Sequence, residues 1–387
     1  MLAIGLAATA NDLAPADSGE RLRPTTAGSI AIANLDHQIE RSGGGTHSVD
    51  LLLARSRFLG DYEALERAVE ITRGSAVSAD ALLRRTRVRA AAHRFVEALA
   101  DLEAARPAGA DERTIDAMRA TTLVSTGREN EAVGSLEANA SLRPGYAAYA
   151  ALASAYAELG RYEEADRQYV AAIAELRTTS PFPYAWLYFA RGKMWSEQAG
   201  DPARGESLYA IALAYLPEFA VANIHKAEFE SARGEFPTAI ARLEGVVARS
   251  DEPEARAKLG EMRLKQGDRA RGERDIAHAR RRYEALLARH PLAFADHAAE
   301  FYLGSGADPE RAWRLAALNL ENRQSRRAYE LAIEAAVASG RNGCTIAAAA
   351  RAKLGLIGLP PCRPRSSAAR RGAMREQAWL TGTRRDP

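Results

Sequence analysis

Cysteine is scarce in this 387-residue chain, which has only Cys344 and Cys362. Two cysteines exclude a disulfide-dense scaffold, and no CxxC or Cys/His spacing marks a zinc site. No stretch approaches 18 consecutive apolar residues, which excludes an ordinary transmembrane helix. HExxH, GxSxG, Walker-type and EF-hand signatures are missing, and the seven His lie scattered at 37, 47, 93, 225, 278, 290 and 297. Paired carboxylates such as Glu163 and Glu164 fall on exposed helix turns, where solvated charge is the ordinary reading. Ser42-Gly-Gly-Gly45 is followed by no Gly-Lys-Ser/Thr opening a helix, so it reads as a flexible linker instead of a phosphate loop. These absences leave no expected catalytic residue, metal or cofactor, and the chain is not expected to be an enzyme.

Lysine is also rare. It occurs only at 193, 226, 258, 265 and 353, so 48 of the 53 basic residues are Arg, and with the heavy use of Ala this reads as genomic base composition. The formal charge of +3 is unevenly placed. Residues 360–387 hold seven Arg against Glu376 and Asp386, a balance of +5, so the rest of the chain carries −2. Specific nucleic-acid binding is therefore not expected. The densest basic stretch of the body, Arg84-Arg85-Thr86-Arg87-Val88-Arg89, spreads its guanidinium groups around a helix and forms no stripe. With 27% charged and 47% hydrophobic residues, the chain is neither collagenous nor disordered throughout.

What the chain does have is a period. Turn positions fall at Gly60, His93, Gly127, Gly160, Gly200, Gly234, Gly267, Gly306 and Gly340, at intervals of 33, 34, 33, 40, 34, 33, 39 and 34. The two long intervals lie beside Pro-containing inserts. The clearest copy carries Tyr149, Leu152, Ala153, Tyr156, Gly160, Tyr162, Ala165, Tyr169 and Ala172. Each unit reads as two amphipathic helices joined by a tight turn, with Gly accepting positive φ and Ala placed where helix backbones approach. One hairpin cannot bury its apolar face alone, and stacked neighbours can.

This pattern resembles the tetratricopeptide repeat family over about Thr46 to Ile357. The resemblance implies an all-α, right-handed superhelical solenoid of about eight or nine helix hairpins. The copies depart from the pattern at Leu65, Gly205, Gly272 and Thr345, which stand where a small residue, usually Ala, is expected. Less stable or slightly shifted units are expected there.

The ends divide the chain further. Residues 1–24 read as a signal-like and disordered start, 25–45 as a capping helix with a Gly-rich linker, 46–357 as the array and 358–387 as a basic tail without fixed structure. Met1 to Ala10 resembles the back half of a secretory signal peptide cleaved after Ala10, without the basic leading segment. The other reading is an Ala-rich terminus of a cytoplasmic protein. In residues 27–41, Ile30, Ala33, Leu35 and Ile39 lie largely on one side, which makes a helix that caps the array. Cys344 and Cys362 are either two unrelated thiols or a disulfide that pins the Pro360-Pro361 segment to the last helix, the latter fitting an oxidising compartment. Weak contact of the tail with a polyanion or a membrane surface remains open.

The resemblance also implies a concave groove lined by positions 2, 5, 6, 9, 12 and 13 of each repeat. Its candidates are Arg84 and Arg87 near the start, then Trp186, Phe189 and Lys193, then His225 and Glu228, then Lys258 and Glu261. Trp186 and Phe189 cannot share a helix face with Tyr188 and Trp195. One set is exposed in the groove or packed on the 177–184 insert. Some members of the family grip a C-terminal carboxylate with paired Lys and Asn in successive repeats, and no matching set occurs here. The expected function is a non-enzymatic scaffold for a protein or peptide in the bacterial envelope, or else a cytoplasmic adaptor or an accessory subunit.

Overall fold

The computed structural model describes residues 22–74, 77–355, 359–360 and 362–363. The signal-like start and nearly all of the basic tail lie outside the described residues. Nineteen α-helices and no strand occur among those described. A leading helix, α1 (Gly28–Arg41), precedes nine hairpins. The first four are α2 (Val49–Leu59) with α3 (Tyr62–Ile71), α4 (Ala79–Ala91) with α5 (Phe95–Ala105), α6 (Glu112–Ser125) with α7 (Glu129–Leu142), and α8 (Tyr146–Glu158) with α9 (Tyr162–Glu175). The fifth joins α10 (Pro181–Lys193) to α11 (Pro202–Tyr215), and the sixth α12 (Ala220–Ala232) to α13 (Phe236–Val247). The last three pair α14 (Pro253–Lys265) with α15 (Arg269–Arg289), α16 (Pro291–Leu303) with α17 (Pro309–Asn322), and α18 (Arg326–Ala338) with α19 (Cys344–Leu354).

Local chemistry places these helices. The side chains of Asp61, Ser78, Asp111, Asp201, Asp268, Asp308 and Ser325 each accept from a backbone N–H in the first turn of the following helix. Such caps contribute about 1 kcal/mol each. The hairpin turns are left-handed at Gly60, Gly127, Gly160, Gly200, Gly234, Gly267 and Gly340, and also at His93. In the eighth hairpin the left-handed residue is Ala307, with φ of 50°, and not the expected Gly306. Gly306 is required there for another reason: a Cβ on it would lie 2.7 Å from the Phe301 carbonyl oxygen.

Five residues after the left-handed position of hairpins two to eight, a short residue meets the first helix of the pair. Ala98, Ala165, Ala239 and Ala312 are fully buried in this role, and Ala132 nearly so. Gly205 and Gly272 take it in the fifth and seventh hairpins. A Cβ on Gly205 would lie 2.9 Å from the Gly192 oxygen, and one on Gly272 would lie 2.9 Å from the Gly260 oxygen. These glycines therefore mark very tight helix approaches, and these two units keep their register because Gly192 and Gly260 complement them. Leu65 is buried in the first hairpin. In the last hairpin Thr345 is exposed, and Ala347 and Ala350 are buried instead, so α19 packs two residues out of step.

The long intervals have two separate causes. Between Gly160 and Gly200 lie the 176–180 connection and a π-helical turn, Met194–Gln198, that continues α10. Between Gly267 and Ala307 the second helix, α15, is itself 21 residues long. A Pro insert accounts for neither alone.

The superhelix closes on itself. The turns of hairpins one, two and three meet the connections that follow hairpins six, seven and eight. Gly60 abuts Glu252, where a Cβ would come within 2.9 Å of Cγ. His93 Nδ1 lies 3.2 Å from the Leu292 oxygen, and Asn322 Nδ2 donates to the His93 oxygen at 3.0 Å. Gln324 N donates to the Thr126 oxygen at 3.0 Å. Aromatic contacts fill the seam: Phe58 with Phe182 and Phe219 at 4.9 and 5.0 Å, and Tyr62 with Phe294 at 4.7 Å. Burial of these rings is the main source of its stability.

Residues before the array join the same seam. Leu22 is buried, Arg23 N donates to Tyr215 Oη at 2.9 Å, and Thr26 N donates to the Thr179 oxygen at 2.8 Å. Leu22 to Pro24 are thus ordered against hairpins four and five, contrary to the expectation for 1–24. Helix α1 buries Ala31, Leu35 and Ile39, whereas Ile30 is exposed. Its Gly28 lies against Pro217, so α1 fits between superhelical turns.

Gly127 and Gly160 separate the local turn from the seam, because both have positive φ but only Gly127 meets another backbone. Gly160→Ala is expected to cost about 1–2 kcal/mol, the ordinary strain of a left-handed Ala. In Gly127→Ala the new Cβ would lie 2.3 Å from the Gln324 oxygen. A larger loss and a greater radius of gyration are expected, measured by urea unfolding and small-angle scattering. Equal losses and unchanged radii would show that the seam does not hold the molecule compact.

Candidate functional site

The inner wall of the superhelix is built by the first helices of hairpins five to nine. One polar circuit runs along it. Glu197, at the end of the π turn, lies 3.4 Å from His225 Nδ1 of α12, which lies 3.4 Å from Glu228. Glu228 pairs with Lys258 of α14 at 2.8 Å. On the same helix Glu254 pairs with His297 of α16 at 3.2 Å, and His297 stands 4.0 Å from Glu300. Glu300 pairs with Arg327 of α18 at 2.5 Å. Arg327 then reaches back to Glu197 at 3.6 Å, joining the ninth hairpin to the fifth.

Protein surrounds these groups, yet water still reaches them. Side-chain accessibility is 39% for Glu228, 30% for Lys258, 44% for His297 and 43% for Arg327. They therefore line a solvent-accessible lumen, and the concave groove expected from the sequence is closed by the seam and by Arg327.

Enclosure sets the proton affinities. Burial opposes the charge on His297, but Asp296 and Glu254 outweigh it and raise its pKa to about 10. Burial raises Glu254 as well, and the His297 pairing overrides it, bringing the carboxylate down to about 2. Glu252, at the seam, goes the other way: burial first, then repulsion from Glu254, raises it to about 7. Its Oε1 accepts from the Tyr62 hydroxyl at 3.2 Å. Burial lowers His93 to about 4, so at neutral pH its ring is uncharged.

The aromatic candidates separate. Trp186 is 36% exposed, with the Arg57 guanidinium 5.0 Å from its ring centre. Phe189 is buried among Tyr209, Phe219 and His225, at 5.5, 5.1 and 5.5 Å. Phe189 is thus core and not groove surface, because the fifth and sixth hairpins approach closely there. Tyr188 and Trp195 are also buried, so the two pairs do not divide as one exposed and one packed. The insert packs through Phe182 on Phe58, leaving Trp186 under Arg57.

His225, Glu228 and Lys258 are brought together, with Lys193 4.0 Å from Glu197 at the end of the row. Glu261 is half-buried on the same helix as Lys258 and makes no ion pair among the described residues. Arg87 instead pairs with Asp50 at 2.9 Å, and Arg84 is half-buried; neither touches this row. The set omits Glu254, His297, Glu300 and Arg327. Their signal was legible: His297 and Glu300 repeat the three-residue spacing of His225 and Glu228 on an inner helix. Among the described residues no group of His, Cys, Asp or Glu is arranged to hold a metal, and no helix is long and apolar enough to cross a membrane.

The deciding observation for the architecture is the repeated register. A left-handed residue is followed five positions later by a buried short one through hairpins two to eight, at a spacing of 33 or 34 in four of the six intervals and 40 in the other two. The fold is a tetratricopeptide-type solenoid. No family model and no curated protein matches the sequence. Among solved structures, the chain is similar to a tetratricopeptide repeat protein from Parabacteroides merdae, with 16% identity, 65% of this chain and 91% of that one covered, and a TM-score of 0.38. It is also similar to the Cut9–Hcn1 hetero-tetramer of the APC/C, with 14% identity, 79% and 60% covered, and a TM-score of 0.44. Yeast Tom70 gives 11% identity, 84% and 85% covered, and a TM-score of 0.38.

The shifted groups of this tetratricopeptide-type wall fix a pH response. An acid raised in the folded state loses its contribution as pH rises, for Glu252 between about 4.5 and 7. A raised His contributes fully below its unfolded value and loses that contribution on the way up, for His297 between 6.5 and about 10. His93, lowered to about 4, gains stability as pH rises to 6.5 and offsets Glu252 there, so thermal melts should show Tm nearly level from pH 5 to 6.5 and falling from there to 10. Glu252→Gln is expected to turn the level part into a rise and His297→Gln to flatten the fall. A profile unchanged in both variants would remove these groups as its origin.

Proposed function

We propose that the chain is a non-catalytic scaffold that binds a protein or peptide segment along its lumen. The observation that carries this reading is the accessible row of alternating charge on successive inner helices, running from Lys193 through Glu228 and Lys258 to His297, beside the open face of Trp186. A segment with its own alternating charges exchanges ion pairs with this row, and an aromatic or aliphatic side chain stacks on Trp186. A wrong charge pattern is rejected, because it leaves enclosed charges of the row without partners. The closed form opens at the Arg327–Glu197 contact to admit the segment.

We further propose that the protein works outside the cytoplasm, in a bacterial envelope. The bond between Cys344 and Cys362 supports this reading, because such links persist in oxidising compartments. So does the apolar start ending at Ala10.

Partner capture from the native source tests the binding reading. Trp186→Ala and Lys258→Glu are each expected to weaken the captured partner's affinity by about 30-fold, the effect of a hot-spot residue, with unchanged far-UV circular dichroism. Unchanged affinity in both variants would move the site out of the lumen. Sequencing the mature N-terminus tests the location: a chain beginning after Ala10 supports export, and an intact Met1 opposes it.

A further inference from the structure

A second surface of different chemistry lies at the seam, away from the lumen row. Between α3 and α4 on one side and the junction of α15 and α16 on the other is a cavity of about 460 Å³. Its wall carries five guanidinium groups, from Arg73, Arg85, Arg89, Arg94 and Arg289, and the carboxylate of Glu66, while Glu70, Asp101, Glu97 and Glu63 pair with these arginines from outside the lining.

The arginines are held in place, and several still have donors to offer. Arg85 spends Nε and Nη2 on Asp101, at 2.9 and 2.6 Å, and Nη1 on the Gly74 oxygen. Arg89 shares the same carboxylate through Nη1 at 2.6 Å. One buried Asp thus orients two guanidinium groups from behind and neutralises only one. Arg89 Nε and Nη2 have no partner among the described residues, nor do Arg94 Nη1 and Arg289 Nε and Nη2. Glu66 is engaged by His290 at 2.7 Å and lies 3.8 Å from Arg289.

We infer that this cavity binds a small organic anion bearing two or more phosphate or carboxylate charges. Guanidinium groups fixed by carboxylates behind them present bidentate donors to such oxygens at little ordering cost. Val88 and Leu292 supply apolar wall for the body of the ligand, and the volume suits a metabolite-sized molecule. The two walls belong to different superhelical turns, so the site is complete only when the seam is closed. A bound anion accordingly holds hairpins one and two against hairpins seven and eight. This inference stands apart from the lumen reading, since the two share no residue.

Calorimetric titration of the full chain with pyrophosphate, and separately with citrate, at constant ionic strength tests it. The two arms distinguish phosphate from carboxylate as the preferred group. Saturable one-to-one binding of at least one probe is expected. Arg94→Gln and Arg289→Gln, from opposite walls, each weaken it about tenfold or more, as expected for loss of a charge-assisted donor. Arg269→Gln, on an exposed stretch of α15, leaves it unchanged. Hydrogen exchange in 89–94 and 289–293 slows when the probe is bound. Absence of saturable binding by both probes, or equal binding by all variants whose melting temperatures match the parent, would overturn the proposal.

Discussion

Everything in this molecule rests on how closely two helices of a hairpin can approach. In hairpins two to eight the approach is set by one short residue, five positions after a left-handed turn. Where that residue is Ala, one helix sits on a methyl group; at Gly205 and Gly272 it sits on the backbone itself. Close approach makes each hairpin thin, and thin hairpins stacked with a constant rotation wind tightly. Tight winding then brings the turns of hairpins one to three onto the connections after hairpins six to eight. The lumen, its paired charges and the arginine-lined cavity all follow from that winding.

The period and the partners within each hairpin were legible in the sequence because they depend on residues a few positions apart. Gly160 and Ala165 state their own geometry. Winding is different. It accumulates from small rotations over many units, and no single residue announces that Gly127 will meet Gln324. For the same reason Phe189 stayed open between the groove and the insert: only the approach of Tyr209 and Phe219 makes it core. Ala307 escaped notice because Gly306 beside it seemed sufficient for the turn. Half of the lumen row was accessible to the same argument that found His225, Glu228 and Lys258, which could have been carried on to His297 and Arg327.

The lumen differs in kind from an apolar groove. Its charges are already satisfied by one another, so an empty lumen leaves few polar groups without partners and carries no large sticky surface. In the proposed binding, discrimination depends on matching a sequence of signs, a property that tolerates variation in side-chain shape. Arg57 over Trp186 adds a cation at one end of the row, contributed by the first hairpin and not by the wall itself.

The seam also imposes an order on how the chain comes to be folded. Ordinary solenoids can consolidate from one end as they are made, each unit leaning on the last. Here Phe58, Tyr62 and His93 emerge well over a hundred residues before the surfaces that cover them, Phe219, Phe294 and Leu292. Until those arrive, the first two hairpins have only α1 and the hairpins stacked directly after them. The first hairpins of the array therefore finish after later ones have formed, and their exposed aromatic rings during that wait are where a chaperone or a misfolding contact would first take hold.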